Sequence, residues 1–598
     1  MRRFRRVALL SLAAVLLGGC SLSAKKVKEV DRLVSANREL RLVCGQDEAQ
    51  RCAIPSPLLE QARTDLREGL QRLTLVEFGS DALALRVHLI RAARERIDLQ
   101  NFILRKDMTG ELILNELLDA ARRGVKVRLL LDQMFSFSDA EYLVWLTMTH
   151  ANLEIRFYNP SFDKAKMANH DWLTGIACCF RRVNQRMHNK LLVVDDLIGV
   201  TGGRNVADRY FDFDTNYEFK DRDVIVFGRA ARDMHASFDW FWDSPKTVPV
   251  QYLRDVAAHL LSGESGDLPE YQPPERLSGV LRDAIDGQRM REVFVDSSFE
   301  VERLLYFSDR PRKLASENPR PEDDVTAVLY DILTQARKSV LIQSPYMVLS
   351  SRARKIFKTL REEHPGIELV YSTNSLASTD ADTVYGNTHR HKKRYVKTLG
   401  FEMYEFKPFP ADAPDFFPRW PELIREKKEG VRSKSTVSGD NSTVPMPAPR
   451  VGLHSKSFVV DGEVAMIGSH NFDPRSEGFN TENGVIVWDK PFARHLEALI
   501  RRDTEPQNSW VVTMKPKGRQ ADTALQPPAD IAGKFDPWPW TETSAYELAP
   551  ENEPLRPAHP DFYRHYYPMG SFPDVVRTRR QYLVIFLGSF FFFLEPIL

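Results

Sequence analysis

At 598 residues the chain is long enough for two to four domains, and its 43% hydrophobic and 28% charged residues are typical of a globular protein. This composition excludes a disordered chain and a multi-span membrane protein. Lys plus Arg (83) nearly balance Asp plus Glu (82), so the sequence lacks the basic excess of a protein that binds duplex nucleic acid.

The first twenty residues have the pattern of an export signal. Four arginines precede the apolar run Val7–Leu17, which is too short to span a bilayer, and Gly18 and Gly19 lead to Cys20. The run L-G-G-C resembles a bacterial lipobox, in which the cysteine is acylated and becomes the mature N-terminus. With Ser21 after the cysteine, it predicts attachment to the cell envelope, at the outer membrane or the periplasmic face. The alternative is an ordinary signal or anchor with an incidental cysteine.

Two pairs of cysteines follow. Cys44 and Cys52 enclose a short polar segment that a disulfide would close in an oxidising compartment. Cys178 and Cys179 are adjacent, and because a bridge between neighbours is strained, we predict two small buried side chains. Neither pair has the spacing of zinc ligands.

A series of predicted strands and helices occurs twice. The first copy has strand 97–104, helix 110–123, strand 125–132, helix 139–149 and strand 153–159. The second has strand 340–348, helix 351–363, strand 367–374, helix 389–399 and strand 401–406. This alternation predicts an α/β fold of two duplicated lobes, each a mainly parallel sheet flanked by helices. We place an N-terminal segment at 21–57 and the lobes at 58–265 and 266–515.

Two segments stand outside the repeat. The polar stretch 426–450, present only in the second copy, predicts an exposed and mobile insertion. Residues 516–598 predict an irregular tail that ends in the apolar run 582–594. That run is shorter than a membrane span, so it predicts either a helix in the membrane interface or one packed on the second lobe.

Each copy ends with the motif H-x-K-x4-D, followed by G-[GS]-x-N. The polar members of the two motifs are His188, Lys190, Asp195 and Asn205 in the first copy and His454, Lys456, Asp461 and Asn471 in the second. His and Lys stand two apart on a predicted strand and so project from the same face. One such motif would indicate only a surface histidine beside a lysine. Two at equivalent points of a repeat predict one active site at the interface of the lobes.

These residue types suit attack on a phosphodiester. The reaction needs a nucleophile and an acid for the leaving oxygen, which two histidines supply near neutral pH. Lys190, Lys456, Asn205 and Asn471 are predicted to bind the phosphate, and the glycines to let the backbone approach it. Because the lysines neutralise the phosphate, the sequence calls for no metal or other cofactor.

Four carboxylates accompany the motifs. Asp221 and Glu482 stand at matching points before two V-I-V runs, and we expect each to orient one of the histidines, although the sequence does not say which. Solvated turn carboxylates are the alternative. Asp195 and Asp461 count with the catalytic motif, but as strand ends they are predicted to tie down the following turn.

The paired motifs resemble those of the phospholipase D superfamily over residues 58–507. Four longer stretches resemble bacterial cardiolipin synthases, most closely the C-type branch: Arg186–Lys190, Gly202–Phe211, Ile467–Ser476 and Asn480–Glu482. The resemblance implies a ping-pong transfer of a phosphatidyl group to phosphatidylglycerol through a phosphohistidine, with phosphatidylethanolamine as the donor in that branch. By analogy His188 is the nucleophile and His454 the acid/base, and the near-symmetric motif leaves the swap open.

Other functions remain as alternatives. A phospholipase D that forms phosphatidic acid would use the same residues, a nuclease would need a basic groove, and a non-catalytic scaffold would not need both motifs intact. The expected partners are phospholipids and a membrane, not nucleic acid, and the sequence does not show whether an accessory protein is needed. The aromatics His170, Trp172 and Trp240–Trp242 are predicted to be core residues rather than the lining of a lipid tunnel.

Overall fold

The computed structural model describes residues 22–44, 52–263, 270–315, 323–430, 448–528 and 541–574. The predicted signal with Cys20, residues 431–447 of the predicted insertion and the apolar run 582–594 lie outside these ranges. Within the described ranges, no helix combines the length and the apolar character needed to cross a membrane.

The first lobe is built on a nine-stranded sheet, with two further short strands outside it. Its strands are β1 (Arg72–Val76), β2 (Arg96–Asn101), β3 (Lys126–Asp132), β4 (Leu153–Tyr158), β5 (Arg186–Met187), β6 (Leu191–Val194), β7 (Ile198–Gly202), β8 (Tyr217–Lys220), β9 (Asp223–Phe227), β10 (Thr247–Pro249) and β11 (Phe299–Glu300). Its helices are α1 (Ala24–Asn37), α2 (Pro57–Glu68), α3 (Gly79–Ala92), α4 (Met108–Arg122), α5 (Ala140–Thr149), α6 (Asn169–Cys178), α7 (Phe180–Asn184), α8 (Arg229–Trp242), α9 (Arg254–Ser262), α10 (Ser278–Ile285) and α11 (Gly287–Arg291). The sheet order is β10-β4-β3-β2-β6-β7-β9-β1-β11.

The second lobe repeats this plan on a ten-stranded sheet, again with two short strands outside it. Its strands are β12 (Arg303–Ser308), β13 (Ser339–Gln343), β14 (Glu368–Asn374), β15 (Glu402–Phe406), β16 (Arg450–Leu453), β17 (Ser457–Val460), β18 (Val464–Gly468), β19 (Asn480–Thr481), β20 (Asn483–Trp488), β21 (Ser509–Met514), β22 (Thr543–Leu548) and β23 (Tyr566–Gly570). Its helices are α12 (Val325–Thr334), α13 (Ser351–Glu363), α14 (Asp382–Lys393), α15 (Ala413–Phe416), α16 (Trp420–Lys428), α17 (Pro474–Gly478), α18 (Lys490–Thr504), α19 (Arg519–Thr523) and α20 (Phe562–His565). The sheet order is β12-β20-β18-β17-β13-β14-β15-β21-β22-β23.

The duplication is confirmed by the strand order. The series β4-β3-β2-β6-β7-β9 in the first sheet corresponds to β15-β14-β13-β17-β18-β20 in the second. The α/β class is also confirmed, but only β2, β3 and β4, and likewise β13, β14 and β15, are parallel to one another. The sheets are mixed because β6 and β7, like β17 and β18, are joined by a tight turn, and a tight turn joins antiparallel neighbours.

Short polar residues start the helices that follow the first strand of each repeat. Asp107 accepts a hydrogen bond from the backbone N–H of Gly110 (3.1 Å) at the start of α4, and Ser350 accepts one from Ala353 (3.0 Å) at the start of α13. Each side chain satisfies one of the backbone donors that the first turn of a helix leaves unpaired. Both helices lie where the sequence predicts them.

The two lobes share an apolar core. Strands β7 and β20 lie against each other, and helices α8 and α18 cover the inner faces of the sheets. Its fully buried members include Leu191, Val193, Met234 and Phe238 from the first lobe and Val459, Ile467, Val485 and Leu496 from the second. Burial of this surface fixes the position of one lobe against the other.

The lobe boundaries differ from those expected. Strand β11 joins the first sheet through β1, and Val280 and Phe294 are buried in the first core, so the first lobe reaches to about residue 300 rather than 265. The tail is not irregular throughout, since β22 and β23 extend the second sheet beyond β21. The proline-rich surroundings concealed these two short strands, of which β23 lies at the sheet edge.

The cysteines have different outcomes. Cys44 and Cys52 form the disulfide that their spacing allows. Cys178 and Cys179 also form a disulfide, and Cys178 is exposed, so the prediction of two buried thiols is wrong. They lie at the joint between α6 and α7, where Cys179 leaves the helical conformation (φ −144°, ψ 32°).

The aromatic residues around the first motif differ in whether they are buried. Phe241 and Trp242 are buried core residues, as predicted. His170 and Trp172 are not, because α6 buries its other face through Asp171 and leaves both rings on the surface.

Candidate active site

His188 and His454 occupy equivalent places in the two lobes. His188 lies in the three-residue gap between β5 and β6, and His454 lies in the gap between β16 and β17. These gaps adjoin the carboxyl ends of β2 and β13, the sheet edge at which the loops after the parallel strands gather. Both histidines are almost buried, at 6% and 7% exposure.

Each imidazole is hydrogen-bonded to a carboxylate of the other lobe. Nδ1 of His188 lies 2.8 Å from Oε2 of Glu482, and Nδ1 of His454 lies 2.5 Å from Oδ2 of Asp221. The sequence predicted these two carboxylates without assigning them, and the structure pairs them crosswise. With Nδ1 held, Nε2 is the nitrogen left for a substrate.

Two short strand pairs between the lobes produce this crossing. Strand β5, which His188 follows directly, pairs in parallel with β19, which Glu482 follows directly. Strand β8, which Asp221 follows directly, pairs in parallel with β16, which His454 follows directly. Because parallel partners end side by side, each histidine emerges beside its carboxylate. The backbone N–H of each histidine extends the pairing by donating to the carbonyl just before that carboxylate, at 3.0 and 2.8 Å.

The two histidines differ in charge environment. The pKa of His188 lies well below its ordinary value because the ring is buried and because Lys190, Lys456 and His454 place positive charge nearby. Burial and Lys456 also lower the pKa of His454, but Asp221 opposes that shift. Burial would raise the pKa of Asp221, yet His454 and Lys456 hold it below its usual range. His188 is therefore the imidazole held neutral, as a nucleophile requires, and His454 the one better able to carry a proton.

The motif lysines lie beneath the histidines. Each donates from Nζ to the carbonyl oxygen of the histidine two residues earlier, at 2.7 Å for Lys190. Burial lowers the pKa of Lys190 to about 7 and that of Lys456 to about 8. Because a buried ammonium is costly without an anion, the pair favours a ligand that brings negative charge, such as a phosphodiester.

The two motif asparagines have different partners. Asn205 donates from Nδ2 to Oη of Tyr210 (2.9 Å), and its Oδ1 accepts from the N–H of Ile103 (3.2 Å). Oδ1 of Asn471 is buried and has no hydrogen-bond partner among the described residues. The phosphate-binding role predicted for Asn471 stays a prediction, because a phosphate oxygen would need the Nδ2–H donors of this amide and not its Oδ1. Asn205 supports the wall of the site, since the ring of Tyr210 contacts that of His454 at 5.1 Å between centroids.

The small residues after the motifs make room for the carboxylates. A side chain at Gly203 would collide with the Asp221 carboxylate, and one at Gly468 would collide with the backbone of β20. Ser469, the counterpart of Gly203, donates from Oγ to Glu482. These contacts explain why small residues follow the motifs, and the expectation that they let the backbone approach a phosphate stays a prediction.

Asp195 and Asp461 lie away from the histidines, at the far ends of β6 and β17. The carboxylate of Asp195 accepts hydrogen bonds from three successive backbone N–H groups before β2, at 2.8 to 2.9 Å. That of Asp461 does the same before β13, at 2.7 to 2.9 Å. Asp195 and Asp461 were predicted to belong to the catalytic motif, but they hold the loops that enter β2 and β13. This agrees with the structural role that their place at a strand end suggests.

Two charged residues near the site were missed by the sequence reasoning. Asp380, in the loop after β14, accepts a hydrogen bond from Oη of Tyr346 (2.8 Å), and its charge acts to raise the pKa of His454. Arg475, on α17, acts to lower the pKa of His188. Arg475 follows the second motif closely in the sequence, and this proximity could have identified it as a residue near the site. Nothing in the sequence around Asp380 marks it.

The chain matches a family model described as "Cardiolipin synthase, PLD-like domain" at residues 87–242 and 329–504, more than half of its length. It is 32% identical over 442 residues to an uncharacterized protein of Helicobacter pylori (strain ATCC 700392 / 26695), covering 73% of this chain and 79% of that protein. It is 30% identical over 429 residues to cardiolipin synthase C of Escherichia coli (strain K12), covering 71% of this chain and 82% of that protein.

Among solved structures, phosphatidylserine synthase of Haemophilus influenzae Rd KW20 matches with 15% identity and a TM-score of 0.46, covering 76% of this chain and 91% of that one. The two segments matched by the family model fall one in each lobe, and each contains one H-x-K motif. The chain therefore belongs to the cardiolipin synthase family of phospholipase D-like enzymes.

Proposed function

We propose that this protein is a phosphatidyltransferase that moves a phosphatidyl group from a donor phospholipid to phosphatidylglycerol and so forms cardiolipin. The observation that carries the proposal is the crossed pairing of His188 with Glu482 and of His454 with Asp221. It leaves one free Nε2 on each of two histidines in a single site, one for the phosphorus and one for the leaving oxygen. The family supports a phospholipid as the substrate.

In the first half-reaction, Nε2 of neutral His188 attacks the phosphorus of the donor. The bond to the headgroup oxygen breaks, and protonated His454 gives its Nε2 proton to that oxygen, so the headgroup alcohol leaves. Glu482 accepts the Nδ1–H of His188 and stabilises the positive charge that develops on the ring. Lys190 and Lys456 stabilise the non-bridging oxygens.

In the second half-reaction, the hydroxyl of phosphatidylglycerol gives its proton to Nε2 of His454, which the first step left neutral. The oxygen attacks the phosphorus, the bond from nitrogen to phosphorus breaks, and both histidines return to their starting states. Water in place of that hydroxyl would yield phosphatidic acid, so the exclusion of water decides between transfer and hydrolysis.

The test uses the full chain in mixed liposomes with isotopically labelled phosphatidylglycerol, with and without phosphatidylethanolamine, and mass spectrometry of the products. We expect labelled cardiolipin with the wild type and none with His188→Ala. Greater yield with phosphatidylethanolamine would identify that lipid as the donor. Phosphatidic acid without cardiolipin would replace the proposal with a phospholipase D, and the absence of any product would overturn a phospholipid reaction for the isolated protein.

We also propose attachment to the bacterial cell envelope through an acylated Cys20. The proposal rests on the sequence of the first 21 residues. Incorporation of labelled palmitate into the wild type but not into Cys20→Ser would support it, whereas equal or absent labelling of both would count against it.

A further inference from the structure

Helix α6 turns two apolar side chains, those of Trp172 and Leu173, outward. Trp172 and Leu173 are 37% and 72% exposed, while Asp171 and Gly175 on the opposite face are buried. A surface helix of a soluble protein normally shows the reverse pattern. A lone exposed apolar residue needs no explanation, but an outward apolar helix face marks an interaction surface.

The segment before α6 is hydrogen-bonded to the loop that leads to the active site. Phe135, in the loop after β3, is 42% exposed, and its ring packs on Phe102 with centroids 4.8 Å apart. Phe102 in turn packs edge-on against the ring of His188, also at 4.8 Å. The side chain of Gln133, two residues before Phe135, hydrogen-bonds the backbone that leads from β4 to α6 at 2.6 and 2.7 Å. Helix α6 and the chain of rings thus belong to one rim.

The same rim is positively charged. Lys166, which precedes α6, and Arg181 and Arg182, which follow it, are exposed. Lys164 instead pairs with Asp171, and the fully buried Arg186 pairs with Asp132. Burial, followed by the charges of Arg182, Arg186 and Arg181, lowers the pKa of Lys246 to about 8, so Arg181 and Arg182 lie near that lysine.

We infer that α6, its flanking arginines and Phe135 form the surface by which this protein docks on an anionic phospholipid bilayer. Trp172 and Leu173 enter the interface, where Trp is favoured, and the arginines meet anionic headgroups. Lipid then reaches His188 along Phe135 and Phe102. The inference rests on the proposed function in one respect, that the substrate is a membrane lipid, and it adds the surface that presents it.

The first test reads the environment of Trp172 alone. Attachment through Cys20 would hold the full chain at a bilayer whether or not α6 docks, so vesicle binding by itself would not test the inference. Tryptophan fluorescence is recorded with vesicles of phosphatidylcholine and phosphatidylglycerol that carry bromine on their acyl chains, which quench nearby indoles. We expect quenching with the wild type and its substantial loss with Trp172→Phe. Equal quenching of both proteins would overturn the inference.

The second test compares substrates. For Trp172→Glu/Leu173→Glu we expect the rate on vesicles, divided by the rate on short-chain lipid monomers, to fall at least tenfold. The control is Leu40→Glu/Val43→Glu, which replaces two exposed apolar residues (74% and 72%). They follow Glu39, which bridges to His150 just before β4, a strand length of roughly 20 Å from the end of β4 that leads to α6. A ratio unchanged in both double variants, or lowered equally in both, would overturn the inference.

The third test addresses charge. Arg181→Glu/Arg182→Glu should weaken the vesicle affinity read from quenching of Trp172 by roughly fivefold per residue when phosphatidylglycerol is present, and should leave it unchanged with vesicles of phosphatidylcholine alone. An equal effect in both kinds of vesicle would contradict the anionic surface. Quenching of Trp172 without formation of any cardiolipin by the wild type would support docking while removing the proposed reaction, so the two proposals fail separately.

Discussion

At the scale of single residues, the two histidines differ although their motifs match. Each ring has a carboxylate at its Nδ1, but four nearby cationic groups lower the pKa of His188, whereas the charges of Asp221 and Asp380 act to raise that of His454. A neutral imidazole is a nucleophile and a protonated one an acid, so the asymmetry favours the assignment made above. The physical cause is the set of neighbours that the fold supplies to each ring.

Glu482→Gln should lower kcat roughly 100- to 10,000-fold while leaving the fold intact, because a neutral amide neither fixes the tautomer of His188 nor stabilises its positive charge. Single-turnover release of the headgroup is the measurement, since the loss falls on the step in which His188 attacks. The control is Glu497→Gln on α18, which should keep wild-type rates. Unimpaired headgroup release by Glu482→Gln would contradict the crossed pairing as a catalytic device.

Lys190→Met should move the acid limb of the pH profile of kcat/KM to higher pH. Burial comes first among the causes that lower the pKa of His188 and Met preserves it, but the charge of Lys190 comes next, and its removal raises that pKa. Activity falls as pH drops through the pKa of a nucleophile that must be neutral, so a higher pKa means an earlier loss. Lys338→Met, at an exposed position, is the control and should leave the acid limb of the pH profile where it is in the wild type. A shift of that limb to lower pH in Lys190→Met would contradict the expected rise in the pKa of His188.

At the scale of elements, the pairs β5 with β19 and β8 with β16 decide the geometry of the site. Each contains only two or four residues per strand, so each has few hydrogen bonds of its own. They form because the shared core already brings the lobes together. Their function is to bring two strands to an end side by side, so that the residue after one strand is a histidine and the residue after the other is its carboxylate.

Gly203→Ala tests the close approach of the backbone at Gly203 to the Asp221 carboxylate. The added methyl group would collide with the Asp221 carboxylate and displace it from His454. Displacement by about 1 Å costs on the order of 100-fold in rate, and we expect a kcat loss of that size with little change in thermal stability. Gly366→Ala is the matched control because nothing lies within 4 Å of its new methyl group. Equal activity of the two variants would show that the site tolerates the shift.

Asp195→Asn should affect stability rather than chemistry. Its carboxylate accepts three backbone N–H groups from the loop before β2, and Asn offers one uncharged oxygen at the same positive φ of 51°. We expect the free energy of unfolding to fall by about 1–3 kcal/mol and kcat of the folded protein to stay within roughly threefold. Calorimetry and steady-state rates at 25 °C measure the two effects, and Asp461→Asn should repeat them. A collapse of kcat with unchanged stability would restore a catalytic role.

At the scale of the whole molecule, a buried ionic network joins the lobes below the active site. The guanidinium of Arg222 pairs with Glu77 of its own lobe and donates to Gln343 (2.8 Å) and Ser457 (3.1 Å) of the other. The neighbouring Lys220 pairs with Asp503 across the same interface at 2.9 Å. Because these groups are adjacent to Asp221, lobe docking and orientation of the carboxylate depend on the same contacts.

Glu77→Gln should therefore destabilise the protein near neutral pH by about 3 kcal/mol, because it leaves the buried charge of Arg222 without its partner. Burial would raise the pKa of Glu77, but Arg222 and Lys220 lower it from 4.5 to about 2. A carboxyl with a depressed pKa stabilises the fold above its unfolded pKa, and this stability is lost as pH falls from about 4.5 to about 2.

The measurement is Tm as a function of pH. In that window the wild type should lose Tm more steeply than Glu77→Gln, and the two curves should approach each other at the acid end. Glu60→Gln on the exposed face of α2 should follow the wild type. Parallel curves for the wild type and Glu77→Gln would mean that Glu77 does not carry this dependence.

The sequence by itself determined the features that depend on local spacing. Alternating strands and helices predicted two α/β lobes, and two H-x-K motifs at matching points of the repeat predicted a shared site with Asp221 and Glu482 as partners of the histidines. These predictions succeed because side-chain periodicity and motif spacing are properties of a short stretch of chain.

Only the tertiary structure decided what depends on contacts between distant segments. The crossed pairing joins residues 294 and 233 positions apart, and it follows from strand pairs between lobes that neither lobe's sequence encodes alone. The same holds for the outward face of α6, the place of Asp380 and the antiparallel half of each sheet. Burial at the interface selects these arrangements, and burial is a property of the whole fold, not of a residue and its neighbours in sequence.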